Sequence, residues 1–125
     1  MIEPKDLRAG NEVFFTKANC KITLIKVYNE SVMFQSFPTN SSCPVNDISG
    51  IPVTPALFSK LSFEYDSDKS TWSGQGVVLK KNADGYFYGA RIERNRARII
   101  YLHELQNYIT DYFNLFHHEK RMLTI

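Results

Sequence analysis

The segment His103-Glu104-Leu105-Gln106-Asn107 begins like the zinc-protease helix motif. In that motif two histidines four positions apart hold zinc, and the glutamate activates water. Asn107 stands where the second histidine is required, and an amide does not replace an imidazole as a zinc ligand. We therefore reject a metalloprotease. The segment instead starts a neutral polar stripe along a helix, which is either solvated or a partner-contacting surface. The stripe comprises His103, Asn107, Thr110 and Asn114.

The other residues capable of chemistry do not complete a site. Residues 66–70 start like a calcium loop but lack its turn glycine and its closing acid. His117-His118-Glu119 lacks the separated ligands of a closed metal site. Neither Cys20 nor Cys43 has a sequence-local catalytic partner, and no Gly-x-Ser-x-Gly elbow occurs. We therefore expect no catalytic residue, no metal and no cofactor.

The most basic segment of the chain is residues 91–98. It contains four arginines and one glutamate, so its charge of +3 exceeds the net +2 of the whole chain. Arginine binds phosphate well, and lysines on the preceding strand are expected nearby. A short arginine run is more often a solvated loop with acidic partners, so nucleic-acid binding is the alternative function here. The candidate nucleic-acid surface comprises Arg91, Arg94, Arg96, Arg98, Lys80 and Lys81.

The predicted secondary structure that holds these residues changes near residue 53. Before it, short runs rich in β-branched and aromatic residues predict strands at 12–15, 21–28, 32–37 and 45–48. Residues 38–44 form a looser stretch between the last two. Several short strands at this spacing are typical of a small SH3-like β-barrel, which we assign to residues 1–53.

Residues 54–125 are predicted to form a small α+β lobe. Thr54-Pro55 favours the start of a short helix ending near residue 61. Strands follow at 76–80 and 86–92, joined across an Asp-Gly turn, with Tyr86 and Tyr88 facing the core. Apolar residues at intervals of three and four predict a long helix at 101–116, and residues 121–125 add an edge strand. The whole chain is α+β, as two lobes or as one compact domain.

Composition limits the class of protein further. The chain has 125 residues, of which 43% are hydrophobic, so it can bury a core and is not disordered. Its net charge of +2 is too mild for a DNA-coating protein. The opening residues hold acids and a proline where a signal peptide needs an apolar run, and no apolar run spans a membrane. We expect a cytoplasmic monomer or simple homodimer with reduced cysteines.

Three motifs resemble those of a family of small bacterial proteins found in one phylum, its phages and its mobile elements. They are residues 7–13 (LRAGNEV), 48–54 (ISGIPVT) and 101–108 (YLHELQNY). The resemblance covers most of the chain, although residues 114–119 depart from the Thr-Gly-Glu-Glu-Leu-like end of the family's helix. It implies a cytoplasmic context and an association with mobile elements. The family has no established activity, cofactor or catalytic residue to carry over.

These observations favour a non-catalytic intracellular interaction module that binds a protein partner. Small barrels and sheet edges commonly bind peptides in grooves or by strand addition.

Overall fold

The computed structural model describes residues 2–89 and 98–117, the last four of these as helix backbone. Within them, nine strands form two antiparallel sheets, so the predicted α+β class is confirmed. The first sheet has the order β4-β3-β2-β1-β5 and curls into a half-barrel. Its strands are β1 Glu12–Phe15, β2 Cys20–Val27, β3 Ser31–Phe34, β4 Ser41–Pro44 and β5 Ile48–Ser49. Two 3-10 helices, Pro4–Asp6 and Val45–Asp47, lie at its margins.

Buried and less buried side chains alternate along the strands of the first sheet, and the buried ones form the first hydrophobic core. Ile22 and Leu24 of β2 are buried, whereas their neighbours along the strand are less buried. Val32 and Phe34 of β3 follow the same period of two. The pairing of β2 with β3 shifts between Leu24 and Lys26, and such an irregularity lets a strand bend and a sheet curl.

The second sheet carries the second core together with both α-helices. Its order is β6-β7-β8-β9, and it packs around Phe58, which is fully buried. The strands are β6 Glu64–Asp66, β7 Thr71–Gly74, β8 Val77–Lys81 and β9 Phe87–Gly89, and the helices are α1 Pro55–Lys60 and α2 Leu102–His117. Thr54 caps α1, because its Oγ1 accepts a hydrogen bond from the amide of Leu57 at 3.2 Å.

A short extended segment before α2 ties the two sheets together. Ile99 exchanges two backbone hydrogen bonds with Phe87, of 2.9 and 2.8 Å, along the edge of β9. One residue later, the carbonyl of Ile100 accepts from the amide of Val53 at 2.9 Å. The amide of Leu102 then donates to the carbonyl of Ile51 at 2.7 Å. The start of α2 is therefore fixed by the chain that leaves the first sheet.

Several predicted elements were wrong in detail. Residues 41–44 form strand β4 rather than a loose stretch, and residues 45–47 form a 3-10 helix rather than a strand. The proline of β4 is tolerated because this is an edge strand, where a missing amide breaks no ladder. Strand β7 was not predicted. The core residue of β9 is Phe87, whereas Tyr86 and Tyr88 are half-buried. The predicted edge strand at 121–125 lies outside the described residues.

Candidate binding cleft between the first sheet and helix α2

Helix α2 is joined to the first sheet by a group of polar side chains that we call the polar clamp: Asn11, Glu12, Gln106 and Asn107. Gln106 is fully buried, and its Oε1 accepts the backbone N–H of Glu12 at 2.8 Å. Asn11 is also fully buried, and its Nδ2 donates to Oδ1 of Asn107 at 2.8 Å. The Nδ2 of Asn107 donates to the carbonyl of Asp6 at 2.9 Å. The clamp therefore holds β1, the first 3-10 helix and α2 at fixed positions.

An ion pair extends the clamp toward solvent. The guanidinium of Arg8 donates two hydrogen bonds to the carboxylate of Asp111, of 2.6 and 2.9 Å. Both side chains are about half exposed, so water screens the attraction and the pair contributes roughly 1 kcal/mol or less. The buried amides, rather than this ion pair, fix the helix on the sheet.

A cleft of about 190 Å³ opens beside the clamp, where the first sheet meets the start of α2. The first sheet and the N-terminal segment contribute one wall, and α2 contributes the other. Its lining residues are Ile2, Asp6, Ile48, Ser49, Gly50, Tyr101, His103 and Glu104.

His103 is the most buried polar group in the cleft wall. It is 3% exposed, and its Nδ1 has no hydrogen-bond partner among the described residues. Burial lowers the pKa of His103, while the nearby carboxylates of Glu104 and Asp6 oppose that shift. The imidazole is therefore neutral at pH 7. A neutral imidazole has one donor nitrogen and one acceptor nitrogen, so the buried Nδ1 is left with an unmade hydrogen bond in this wall.

Tyr101 forms the aromatic part of the cleft. Its ring lies nearly parallel to that of His103, with a centroid distance of 5.9 Å and an angle of 9°. Gly50 packs directly against Tyr101, since a Cβ at Gly50 would clash with Cγ and Cδ1 of its ring. Tyr101 remains 37% exposed, so its side chain is not sealed within the cleft.

Two carboxylates give the cleft a negative charge. The Oε1 of Glu104 accepts from the amides of Ile100 and Tyr101, at 3.0 and 2.9 Å, which caps the start of α2. Asp6 approaches from the first 3-10 helix and is exposed. Within the part of the chain that the structure describes, no Lys, Arg or His nitrogen lies within ion-pair distance of either carboxylate.

The predicted polar stripe on α2 does not form an exposed surface. His103 and Thr110 are buried, and Asn107 is half-buried and bonded within the clamp. The side chain of Asn114 lies outside the described residues. The described members of the stripe are covered because α2 packs against the molecule on two sides. Its apolar stripe faces the second core, and its polar stripe packs against the first sheet.

The predicted basic surface is not assembled within residues 2–89 and 98–117. Lys80 and Lys81 lie on opposite faces of β8, since successive residues of a strand alternate. Lys81 lies over the ring of Phe87 at 5.9 Å, whereas Lys80 borders a groove shared with Asp66 and Asp68. Arg98 stacks on Tyr86 at 4.9 Å. The remaining members of the candidate surface, Arg91, Arg94 and Arg96, lie outside the described residues.

Several residues of the cleft and clamp were not predicted from the sequence, although the sequence carries a signal for them. Gly50 lies in the motif at 48–54, Gln106 in the motif at 101–108, and Asn11 in the motif at 7–13. The segments 7–13, 48–54 and 101–108 therefore converge on one place. Their separation along the chain hid this convergence.

Among the described residues, no cluster of three or more His, Cys, Asp or Glu side chains is placed to hold a metal ion. No described helix is long and apolar enough to cross a membrane. No protein-family model, curated protein or solved structure matches the chain.

We predict that the Gln106→Leu substitution destabilises the protein by about 1–3 kcal/mol, because the buried N–H of Glu12 loses its acceptor. The matched control is Gln35→Leu, where the glutamine is exposed and the free energy of unfolding should change by roughly 0.5 kcal/mol or less. Urea unfolding followed by circular dichroism measures both. Equal changes in the free energy of unfolding for the two substitutions would show that the Gln106 side chain does not stabilise the folded protein.

We also predict that His103 makes stability depend on pH. Its folded pKa lies below the ordinary 6.5, so the unfolded chain takes up the proton first as the pH falls. Stability should therefore decrease on acidification from pH 6.5 toward the lower folded pKa. The His103→Gln variant should lose less stability over that range, as measured by thermal unfolding at a series of pH values. Identical pH profiles for the two proteins would contradict the buried neutral imidazole.

Proposed function

We propose that this protein is a non-catalytic intracellular interaction module that captures a protein partner at the cleft between the first sheet and α2. We further propose that the half-barrel is SH3-like. The strand order β4-β3-β2-β1-β5 supports that assignment, as does the 3-10 helix between β4 and β5. Small barrels of this type commonly bind extended peptides.

The observation that carries this proposal is the size and lining of the cleft. Its volume of about 190 Å³ is below the roughly 300–1,000 Å³ of most small-molecule sites. A volume of this size suits one inserted side chain better than a whole metabolite. The cleft wall holds the unpaired, buried Nδ1 of His103 and the partly exposed Tyr101, which would supply that side chain with a hydrogen-bond acceptor and an aromatic contact.

A protein partner fits the cleft better than a nucleic acid. Asp6 and Glu104 repel a phosphate backbone, and nucleic-acid affinity depends on cationic contacts with phosphates. Lys80 and Lys69 share their groove with Asp66 and Asp68, so the positive charge there is offset by two acidic groups.

A displayed library of random peptides tests the proposed function. We predict that the purified protein enriches peptides and that Ser49→Leu, which places a larger apolar side chain in the cleft wall, abolishes the enrichment. The matched control is Ser42→Leu, at an exposed position on the opposite edge strand of the same sheet. Circular dichroism establishes that both variants fold.

Enrichment that survives Ser49→Leu and is lost in Ser42→Leu would place the interaction elsewhere. The absence of any enrichment by the wild-type protein would contradict the proposed function itself.

A further inference from the structure

We propose that the cleft binds the guanidinium group of an arginine side chain presented by a partner protein. This inference rests on the proposed function and specifies the chemistry that the site recognises.

The charge of the cleft selects a cation. Asp6 and Glu104 come from two different elements, the first 3-10 helix and the first turn of α2, and both line the cleft. Both also act electrostatically on His103. Since His103 is neutral at pH 7, these groups together carry two negative charges, and no described Lys, Arg or His nitrogen lies within ion-pair distance of either carboxylate. A bound cation would interact favourably with both carboxylates.

The hydrogen-bonding groups of the cleft select a cation with several donors. The carboxylate of Glu104 uses Oε1 for backbone amides, and Asp6 has an exposed carboxylate. With its proton on Nε2, His103 presents Nδ1 as a third acceptor inside the wall. Guanidinium has five N–H donors arranged in a plane, so one group can donate to more than one acceptor at once.

The aromatic wall favours arginine over lysine. Tyr101 is held in place by Gly50 and by stacking on His103, and its side chain is partly exposed. A planar guanidinium can pack flat against the exposed part of such a side chain, whereas an ammonium is compact, strongly hydrated and has no plane. The small volume of the cleft also suits a single planar group.

The experiment compares short peptides that differ in one side chain. The full-length protein is titrated with acetyl-Gly-Gly-Arg-Gly-Gly-amide and with the same peptide carrying citrulline, which has a similar shape but no charge. Binding is followed by isothermal titration calorimetry at low salt. We expect the arginine peptide to bind about tenfold more tightly than the citrulline peptide, because charge-assisted hydrogen bonds are much stronger than neutral ones. The lysine peptide should fall between the two.

The variant Asp6→Asn tests the charge of the cleft without disturbing the clamp, because the clamp uses the backbone carbonyl of Asp6. We expect the affinity for the arginine peptide to fall roughly threefold to fivefold, as for a partly exposed ion pair. The matched control is Glu3→Gln, which removes an exposed carboxylate from the same segment outside the cleft and should leave the affinity unchanged.

Three results of these titrations would overturn the inference. They are equal binding of the arginine and citrulline peptides, equal effects of Asp6→Asn and Glu3→Gln, and tighter binding of N-acetylarginine amide than of the peptide. The last would assign the cleft to a free guanidinium compound. If the displayed library yields cleft-dependent peptides without arginine, this inference fails while the proposed function stands. If it yields no cleft-dependent peptides, the proposed function fails.

Discussion

The hydrogen bond between the buried Gln106 side chain and the backbone N–H of Glu12 is the constraint on which the rest of the structure depends. A buried amide group must be paired, so this contact fixes both the rotation of α2 and its position along the sheet. With that rotation set, Leu102, Leu105 and Ile109 face the second core. His103 lies three residues before Gln106 and so points to the same side of the helix, toward the cleft. One contact thus positions both the packing face and the candidate site.

The cleft combines features that a well-packed core avoids. A histidine nitrogen is buried beside two carboxylates, and a glycine leaves room for the Tyr101 ring. Burial keeps the imidazole neutral, while the carboxylates keep the surrounding potential negative. A neutral acceptor in a negative cleft favours a donor-rich cation over an anion.

The sequence predicted local structure well where periodicity was strong. The apolar spacing in the last helix and the β-branched runs of β1 to β3 placed those elements within a few residues of their observed positions. The sequence did not predict β4, because its serines and proline favour a loop. Pairing with β3 holds this segment in the sheet. The role of the polar stripe on α2 was also missed. Polar residues on a helix usually face water, and only the tertiary pairing of Asn11 with Asn107 and of Glu12 with Gln106 shows that they do not.

The imidazole ¹⁵N chemical shifts of His103 show directly whether its ring is neutral and whether Nδ1 accepts a hydrogen bond from the arginine peptide. They are measured in the uniformly labelled protein with and without the arginine peptide. We expect a neutral ring with its proton on Nε2. We also expect the Nδ1 shift to move in the direction of an accepted hydrogen bond as the peptide is added. A positively charged ring at pH 7, or an Nδ1 shift that does not respond while the peptide binds elsewhere, would contradict the account.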